Sequence, residues 1–226
     1  MPFKDRVDAG RKLAKALAGY KNQKSVILAL PRGGVPVAAE VATALDAPLD
    51  LILVRKIGVP FEPELAMGAV VDGGSPIVVR NDDVIRMAGI NDADFKAVCD
   101  KELAEIERRR QRYLGTRERI AVAGCTAIVV DDGVATGATT RAALQATRTR
   151  KPKKLVLAVP VAPTDSMAAL RTDADEVVCL EQHEFFGAIG FYYRDFGQVE
   201  DDEVVRLLNQ FEAHRTEAPK PPIAQT

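Results

Sequence analysis

The sequence has few cysteines, almost no net charge and no long apolar run. Its three cysteines, Cys99, Cys125 and Cys179, show no C-x-x-C spacing and cannot all pair, so neither a disulfide framework nor a zinc site is expected. Lys and Arg total 31 against 32 for Asp and Glu, and this balance argues against a general nucleic-acid-binding surface. No window approaches the roughly 20 apolar residues of a membrane span, and the N-terminus lacks an apolar signal segment. We therefore expect a cytoplasmic protein with a small ligand.

The chain is long enough to bury a sizeable core. It has 226 residues, of which 47% are hydrophobic and 28% charged, as in one soluble globular domain or two small ones. We assign residues 1–215 to a single domain. Residues 216–226 contain three prolines, and we predict a disordered tail there.

The most informative stretch is residues 126–140, TAIVVDDGVATGATT. Apolar residues lead into Asp131 and Asp132, and an alanine-rich helix opens at Arg141. This is the order of a buried strand, a site and a helix N-terminus. Between the acids and the helix lies a run of small residues, Ala135, Thr136, Gly137, Ala138, Thr139 and Thr140.

These small residues allow backbone N–H groups to surround one anion, and the helix dipole adds positive potential. The stretch lacks the lysine of a Walker loop, G-x-x-x-x-G-K-S/T, and the spacing of a dinucleotide loop, G-x-G-x-x-G. It therefore suits a terminal monophosphate, and Asp131 and Asp132 could accept hydrogen bonds from vicinal sugar hydroxyls. An isolated pair of aspartates would more simply indicate a turn or a helix cap.

The pattern resembles the signature of the type I phosphoribosyltransferases: four apolar residues, two acids, a short variable step and Thr-Gly-x-Thr. The matching residues are Ile128, Val129, Val130, Asp131, Asp132, Thr136, Gly137 and Thr139. The resemblance implies that the chain binds 5-phosphoribosyl 1-pyrophosphate. Residues 135–140, the phosphate loop, would hold the 5-phosphate, and Asp131 and Asp132, the acid pair, would hold the ribose diol. Mg²⁺ would bridge the pyrophosphate and the ribose, reaching the acid pair through water.

A second strand, loop and helix unit precedes this one. Residues 25–30 predict a buried strand, Pro31, Arg32, Gly33 and Gly34 follow it, and a helix runs from about Pro36 to Leu45. Alone, this loop is typical of a tight turn. In a parallel sheet, however, it would emerge at the same carboxyl edge as the acid pair. The resemblance implies that residues 31–34, the pyrophosphate loop, bind pyrophosphate, with the planar guanidinium group of Arg32 donating to a phosphate. It also implies a non-proline cis peptide, whose position the sequence does not give.

Residues 55–64 follow a predicted strand at 49–54, and Gly58, Pro60 and Pro63 predict irregular structure there. The resemblance implies that this segment, the lid, is mobile and closes over the substrate, with Lys56 neutralising the leaving pyrophosphate. An ordinary solvated lysine is the alternative. Glu62 and Glu64 are candidate proton acceptors or simple loop charges.

The remaining segments supply the framework. Residues 65–71 and 76–79 predict a hairpin, 81–115 a helical insertion, 155–160 and 176–180 two further strands, and the apolar positions of 204–211 a final helix. We interpret Arg108, Arg109, Arg110 and Arg112 as a solvated, salt-bridged face, and a dimer contact is equally compatible. The first helix, near residues 3–17, is expected only to pack against the rest of the domain.

Residues 181–198 are rich in Phe and Tyr. The resemblance implies a hood over the acceptor there, and a satellite hydrophobic cluster is the alternative.

Together these signals predict an α/β domain with a mainly parallel five-stranded sheet flanked by helices, a small hood and a helical insertion. The resemblance implies transfer of the phosphoribosyl group to a ring nitrogen with release of pyrophosphate, by a homodimer. Relatives acting on 6-oxopurines place an Asp where this chain has Ala135, so we disfavour hypoxanthine and guanine. A non-catalytic sensor of the same ligand and a pyrophosphokinase relative are the alternatives, although no second nucleotide site is evident.

Overall fold

A computed structural model describes residues 2–72 and 76–217, with side chains as far as residue 211. The strands are β1 Ser25–Ala29, β2 Leu49–Leu51, β3 Val54–Val59, β4 Glu62–Val71, β5 Ile77–Arg80, β6 Thr126–Val130, β7 Lys154–Pro163 and β8 Glu176–His183. The helices are α1 Arg6–Ala16, α2 Gly34–Leu45, α3 Asp82–Met87, α4 Asp92–Leu114, α5 Ala138–Thr149, α6 Thr164–Leu170 and α7 Asp201–Glu217. No helix within these residues is long and apolar enough to cross a membrane.

The main sheet is parallel and has the strand order β2-β1-β6-β7-β8. Its register pairs Ile27 with Ile128, and Ile128 with Val156. Both faces are covered, since alternate strand residues point to opposite apolar cores. Ile27, Ile128 and Val156 pack with α1, α2, α4 and α7, whereas Val129 and Leu157 pack with α5 and α6. The predicted fold class is confirmed.

The lid differs from the prediction of irregular structure. Residues 54–71 form an antiparallel hairpin of β3 and β4, and β5 completes a three-stranded sheet. Pro60 lies in the turn, while Pro63 lies in a bulge, where its missing N–H costs no ladder bond. Gly58 makes the bulge possible, because a Cβ there would lie 2.4 Å from the Pro63 carbonyl oxygen. Gly73 and Gly74, the predicted turn before β5, lie outside the described residues.

The predicted helical insertion is two helices, α3 and α4. Gly89, with φ of +64°, lies between them, and the Asn91 side chain caps α4 by accepting from the Asp94 N–H. The arginines of α4 pair with acids, as interpreted from the sequence: Arg108 and Arg109 with Glu105, Arg110 with Glu107, and Arg112 with Asp202. At the other end of the chain, α7 extends to Glu217, so residues 216 and 217 of the predicted tail are helical. Residues 218–226 lie outside the described residues.

The packing predicts where the fold is most sensitive. Leu157 is fully buried in β7, so Leu157→Ala should lower the free energy of unfolding in urea by about 2–5 kcal/mol through lost burial and a residual cavity. Val78 in β5 is 40% exposed, and Val78→Ala should cost less than about 1 kcal/mol. Equal losses in the two variants would contradict this assignment of the core.

Candidate active site

The two predicted ligand loops meet at one edge of the main sheet. Strands β1 and β6 are neighbours, but α2 follows β1 onto one face of the sheet and α5 follows β6 onto the other. Their connections diverge at the carboxyl ends of the strands, where open α/β sheets form a ligand-binding crevice. The pyrophosphate loop and the acid pair both lie at this switch point.

Glycine is required in the pyrophosphate loop because the two loops touch. A Cβ on Gly33 would lie 2.0 Å from Asp132 Oδ2, and one on Gly34 would lie 2.8 Å from the Val130 carbonyl oxygen. The backbone of Gly33 is itself ordinary, with φ of −59°, so close approach rather than conformation excludes a side chain. The peptide bond between Pro31 and Arg32 is cis, at a position that the sequence did not give.

The phosphate loop has the open backbone that an anion site needs. Gly137, with φ of +79°, precedes α5, and no side chain among the described residues caps that helix. The first N–H groups of α5 are therefore available to a ligand. Ala135, Thr136, Ala138 and Thr139 are exposed, whereas Thr140 is buried. On the outer side, Ser166 Oγ donates to the Ala135 carbonyl oxygen at 2.7 Å.

The two acids are adjacent but differently held. Asp131 Oδ1 accepts the backbone N–H of Asp132 at 2.8 Å, and Asp132 Oδ2 accepts from Arg6 Nε at 2.7 Å. Burial and the neighbouring Asp132 carboxylate raise the pKa of Asp131 well above its usual value. Burial also raises the pKa of Asp132, although Arg6 opposes the shift. Both acids therefore hold their charge at a free-energy cost.

The carboxylates fit Mg²⁺ as partial ligands. Mg²⁺ commonly binds one or two carboxylates, keeps several waters and takes the rest of its shell from substrate phosphates. Within residues 2–72 and 76–217, no group of three His, Cys, Asp or Glu side chains could hold a metal. Any Mg²⁺ at the acid pair would therefore depend on oxygen atoms of the ligand.

Arg6 is the residue that sequence reasoning missed. It is the first residue of α1, a helix expected only to pack, yet its side chain reaches the acid pair. The sequence offered no signal for this contact, because 126 positions separate Arg6 from Asp132. A second unpredicted contact is made by Tyr193, whose hydroxyl donates to the Asp132 carbonyl oxygen at 2.5 Å.

The two predicted phosphate-neutralising side chains have partners away from the acid pair. Arg32 Nη1 lies 3.5 Å from Asp201 Oδ1, which also accepts from the Tyr113 hydroxyl at 2.6 Å. Lys56 Nζ lies 3.0 Å from Glu64 Oε2 at the bulge of β4. Glu64 is 95% exposed, so this ion pair contributes little to stability. Both cations can leave their partners at small cost.

The segment predicted as the hood packs on the residues that follow the acid pair. It contains a short 3-10 helix, Ile189–Tyr192, and Ile189 packs so closely on Gly133 that a Cβ there would lie 2.7 Å from Ile189 Cγ2. Phe186 stacks on Tyr192 with ring centroids 4.9 Å apart. Phe185 and Phe191 remain 94% and 78% exposed. The segment is thus a hydrophobic cluster from which two aromatic rings remain exposed.

Comparison with known families assigns this chain to a protein family. The model of the phosphoribosyl transferase domain matches residues 4–195. The chain belongs to the phosphoribosyltransferase family. Its five-stranded parallel sheet flanked by helices is the fold of a type I phosphoribosyltransferase.

Two relatives extend this family assignment. A Mycobacterium tuberculosis protein assigned by name to the phosphoribosyl transferases is 51% identical over 213 residues, covering 94% of this chain and 47% of that protein. This phosphoribosyltransferase chain thus spans about half the length of the curated relatives it matches. The crystal structure of TT1426 from Thermus thermophilus shares 41% identity and has a TM-score of 0.81, covering 93% of this chain and 99% of that one.

The raised pKa of Asp131 predicts a pH-dependent stability. A carboxyl whose folded-state pKa is raised destabilises the fold as pH rises from its unfolded value through its folded value. Asp131→Asn should therefore be more stable than the wild type at pH 7. The difference should vanish below about pH 4, where both proteins are uncharged at this position.

The control variant should show the opposite change in stability. Arg148 holds the pKa of Asp175 below its usual value, so Asp175→Asn should lose stability at pH 7 and approach the wild type as pH falls. Urea unfolding across pH 3–8 measures both variants. A loss of stability at pH 7 in Asp131→Asn would contradict the electrostatic account of the acid pair.

Proposed function

We propose that this chain is a Mg²⁺-dependent phosphoribosyltransferase that moves the 5-phosphoribosyl group from phosphoribosyl pyrophosphate to a ring nitrogen of a small heterocycle, releasing pyrophosphate. The observation that supports the proposal is the contact of Gly33 with Asp132 at the switch point of the sheet. That contact sets an open anion-binding loop, a glycine-rich loop and two carboxylates around one crevice. Family membership supports a transferase in general terms.

The ligand would lie with its phosphate on the phosphate loop. Backbone N–H groups of residues 137–140 and the hydroxyls of Thr136 and Thr139 would hold the 5-phosphate, and each hydrogen bond to a charged acceptor contributes about 1.5–3 kcal/mol. The acid pair would accept hydrogen bonds from the ribose diol. The pyrophosphate would then rest on residues 31–34, where Arg32 could exchange its 3.5 Å contact with Asp201 for a phosphate oxygen.

The chemistry would be a displacement at C1 of the ribose. The bond from C1 to the pyrophosphate oxygen breaks, the ring nitrogen forms the new bond, and positive charge develops on the sugar in an oxocarbenium-like transition state. Positioning and electrostatic stabilisation are the contributions of such a site. Bound Mg²⁺ would neutralise charge on the pyrophosphate. Arg32 and Lys56 would stabilise the leaving group, and Glu62 or Glu64 on the hairpin could take the proton released by the acceptor.

The acceptor is a flat heterocycle in this proposal. The exposed rings of Phe185 and Phe191 in the hood would provide apolar faces for the acceptor, and aromatic stacking favours planar ligands. Ala135 replaces the acid that serves 6-oxopurines, so hypoxanthine and guanine are disfavoured. We further propose that the protein works as a homodimer in the cytoplasm.

The deciding experiment is pyrophosphate release with phosphoribosyl pyrophosphate, Mg²⁺ and a panel of purine, pyrimidine and other nitrogen heterocycles. We expect release with at least one acceptor and none after removal of Mg²⁺ with a chelator. Gly137→Val should abolish ligand binding measured by calorimetry, since valine resists a φ of +79° and its Cβ would lie 3.3 Å from Leu170 Cδ1, so the backbone of the phosphate loop must shift.

Gly124→Val is the matched control for that variant. Gly124 has a similar φ of +70°, with nothing within 4 Å of an added Cβ, so the variant carries similar backbone strain away from the site. It should bind normally. Ligand binding without turnover of any acceptor would favour the sensor alternative, and binding retained by Gly137→Val would contradict the phosphate assignment.

Lys56 should affect rate rather than affinity. If its ammonium group meets charge that develops only on the leaving pyrophosphate, Lys56→Ala should lower kcat roughly 10- to 100-fold with little change in the Kd of phosphoribosyl pyrophosphate. Lys96→Ala removes an exposed lysine that is likewise paired with one acid, Asp100, and should leave both constants unchanged. Wild-type kcat in Lys56→Ala would remove this residue from the mechanism.

A further inference from the structure

The N-terminal segment of the chain is attached to the hood. The Phe3 N–H donates to the Tyr192 carbonyl oxygen at 2.8 Å, and the Arg194 N–H donates to the Phe3 carbonyl oxygen at 2.8 Å. The rings of Phe3 and Tyr193 are 5.4 Å apart, and both residues are buried. This attachment brings the start of α1 to the acid pair.

The guanidinium group of Arg6 makes three contacts at this position. Nε donates to Asp132 Oδ2 at 2.7 Å, Nη1 donates to the Gly197 carbonyl oxygen at 2.7 Å, and Cζ lies 3.9 Å from the centroid of the Phe196 ring. Its side chain is only 12% exposed. A lysine could not make these contacts together, because they require a planar group with several fixed donors.

Asp132 is fixed from both sides. Gly33 of the pyrophosphate loop lies so close to Oδ2 that no side chain would fit between them. Arg6 of α1 donates to the same oxygen, and the Tyr193 hydroxyl donates to the backbone carbonyl oxygen of Asp132. Asp132 is 7% exposed, whereas Asp131 is more accessible. None of the hydrogen bonds between described residues reaches Asp131 Oδ2, which leaves that oxygen for a ligand.

We propose that Arg6 is a positioning residue of the phosphoribosyl-binding site, acting through Asp132. By holding Oδ2, it fixes which oxygen atoms of the acid pair face the sugar, and it joins the hood to the acid pair through Gly197. This role rests on the proposed function, because it concerns the same ligand. The geometry that carries it is the set of three Arg6 contacts and the approach of Gly33.

A purely structural role would lower stability without changing the ligand constants of the folded protein. A positioning role predicts that ligand affinity falls as well. In folded Arg6→Met, Asp132 is free to rotate, so the Kd of phosphoribosyl pyrophosphate should rise roughly 10- to 100-fold, the equivalent of one charged hydrogen bond at tenfold per about 1.4 kcal/mol. In Arg6→Ala, which leaves room for the ion, guanidinium at tens of millimolar should restore part of the affinity, whereas equal NaCl should not.

The test is calorimetric titration of the full chain with phosphoribosyl pyrophosphate and Mg²⁺, below the melting temperature of each variant. It compares the wild type, Arg6→Met, Asp132→Asn and the double variant. The two single changes should not add, because each removes the same interaction. Arg11→Met is the control: Arg11 lies five residues further along α1 and pairs with Glu40 at the surface, so its loss should leave the Kd unchanged.

The outcomes separate this role from the proposed function. If the wild type does not bind phosphoribosyl pyrophosphate, the proposed function fails and this role fails with it. If the wild type binds and Arg6→Met binds equally well, or if the two single changes add fully and guanidinium does not rescue, only the role of Arg6 is overturned. Should Arg6→Met not fold, Arg6→Lys takes its place. Lysine keeps the positive charge but not the planar group with several donors. We therefore expect a Kd between those of the wild type and Arg6→Met, and a wild-type Kd would overturn the role.

Discussion

The contact between Gly33 and Asp132 is the constraint on which the site depends. It requires β1 and β6 to be neighbours in register, so that their carboxyl ends stop at the same level. It requires α2 and α5 to leave toward opposite faces of the sheet, since otherwise one helix would fill the crevice. It also requires a residue without a side chain at position 33. The few ångströms that separate Gly33 from Asp132 thus depend on strand order, helix placement and loop composition together.

The acid pair shows how the fold carries a functional cost. Two adjacent carboxylates at a buried edge repel one another and lose hydration, and the pKa of each is raised. A structure selected for stability alone would neutralise or remove them. The chain instead places one arginine on the more buried acid and leaves the other accessible. The N-terminal helix is therefore part of the electrostatics of the site, although it belongs to neither loop.

The sequence predicted the parts of the structure that are local. Apolar runs marked β1 and β6, and the small residues after them marked both loops, because strand burial and loop composition are properties of neighbouring residues. The partners of those residues were not predictable in the same way. Arg6 reaches Asp132, and Tyr193 its carbonyl group, only after α1 and the hood have packed. Pro60 and Pro63 misled the prediction of the lid, because a turn and a bulge admit proline into a hairpin.

That hairpin changes what closure of the lid would cost. A disordered loop that closes over a ligand loses backbone freedom, at about 1–2 kcal/mol for each residue that becomes fixed. Residues 54–59 and 62–71 already have their ladder bonds, so most of that ordering is complete before a ligand arrives. Ligand binding energy would then not need to be spent on folding the hairpin. The two prolines that suggested irregular structure belong to the segment that avoids this entropic cost.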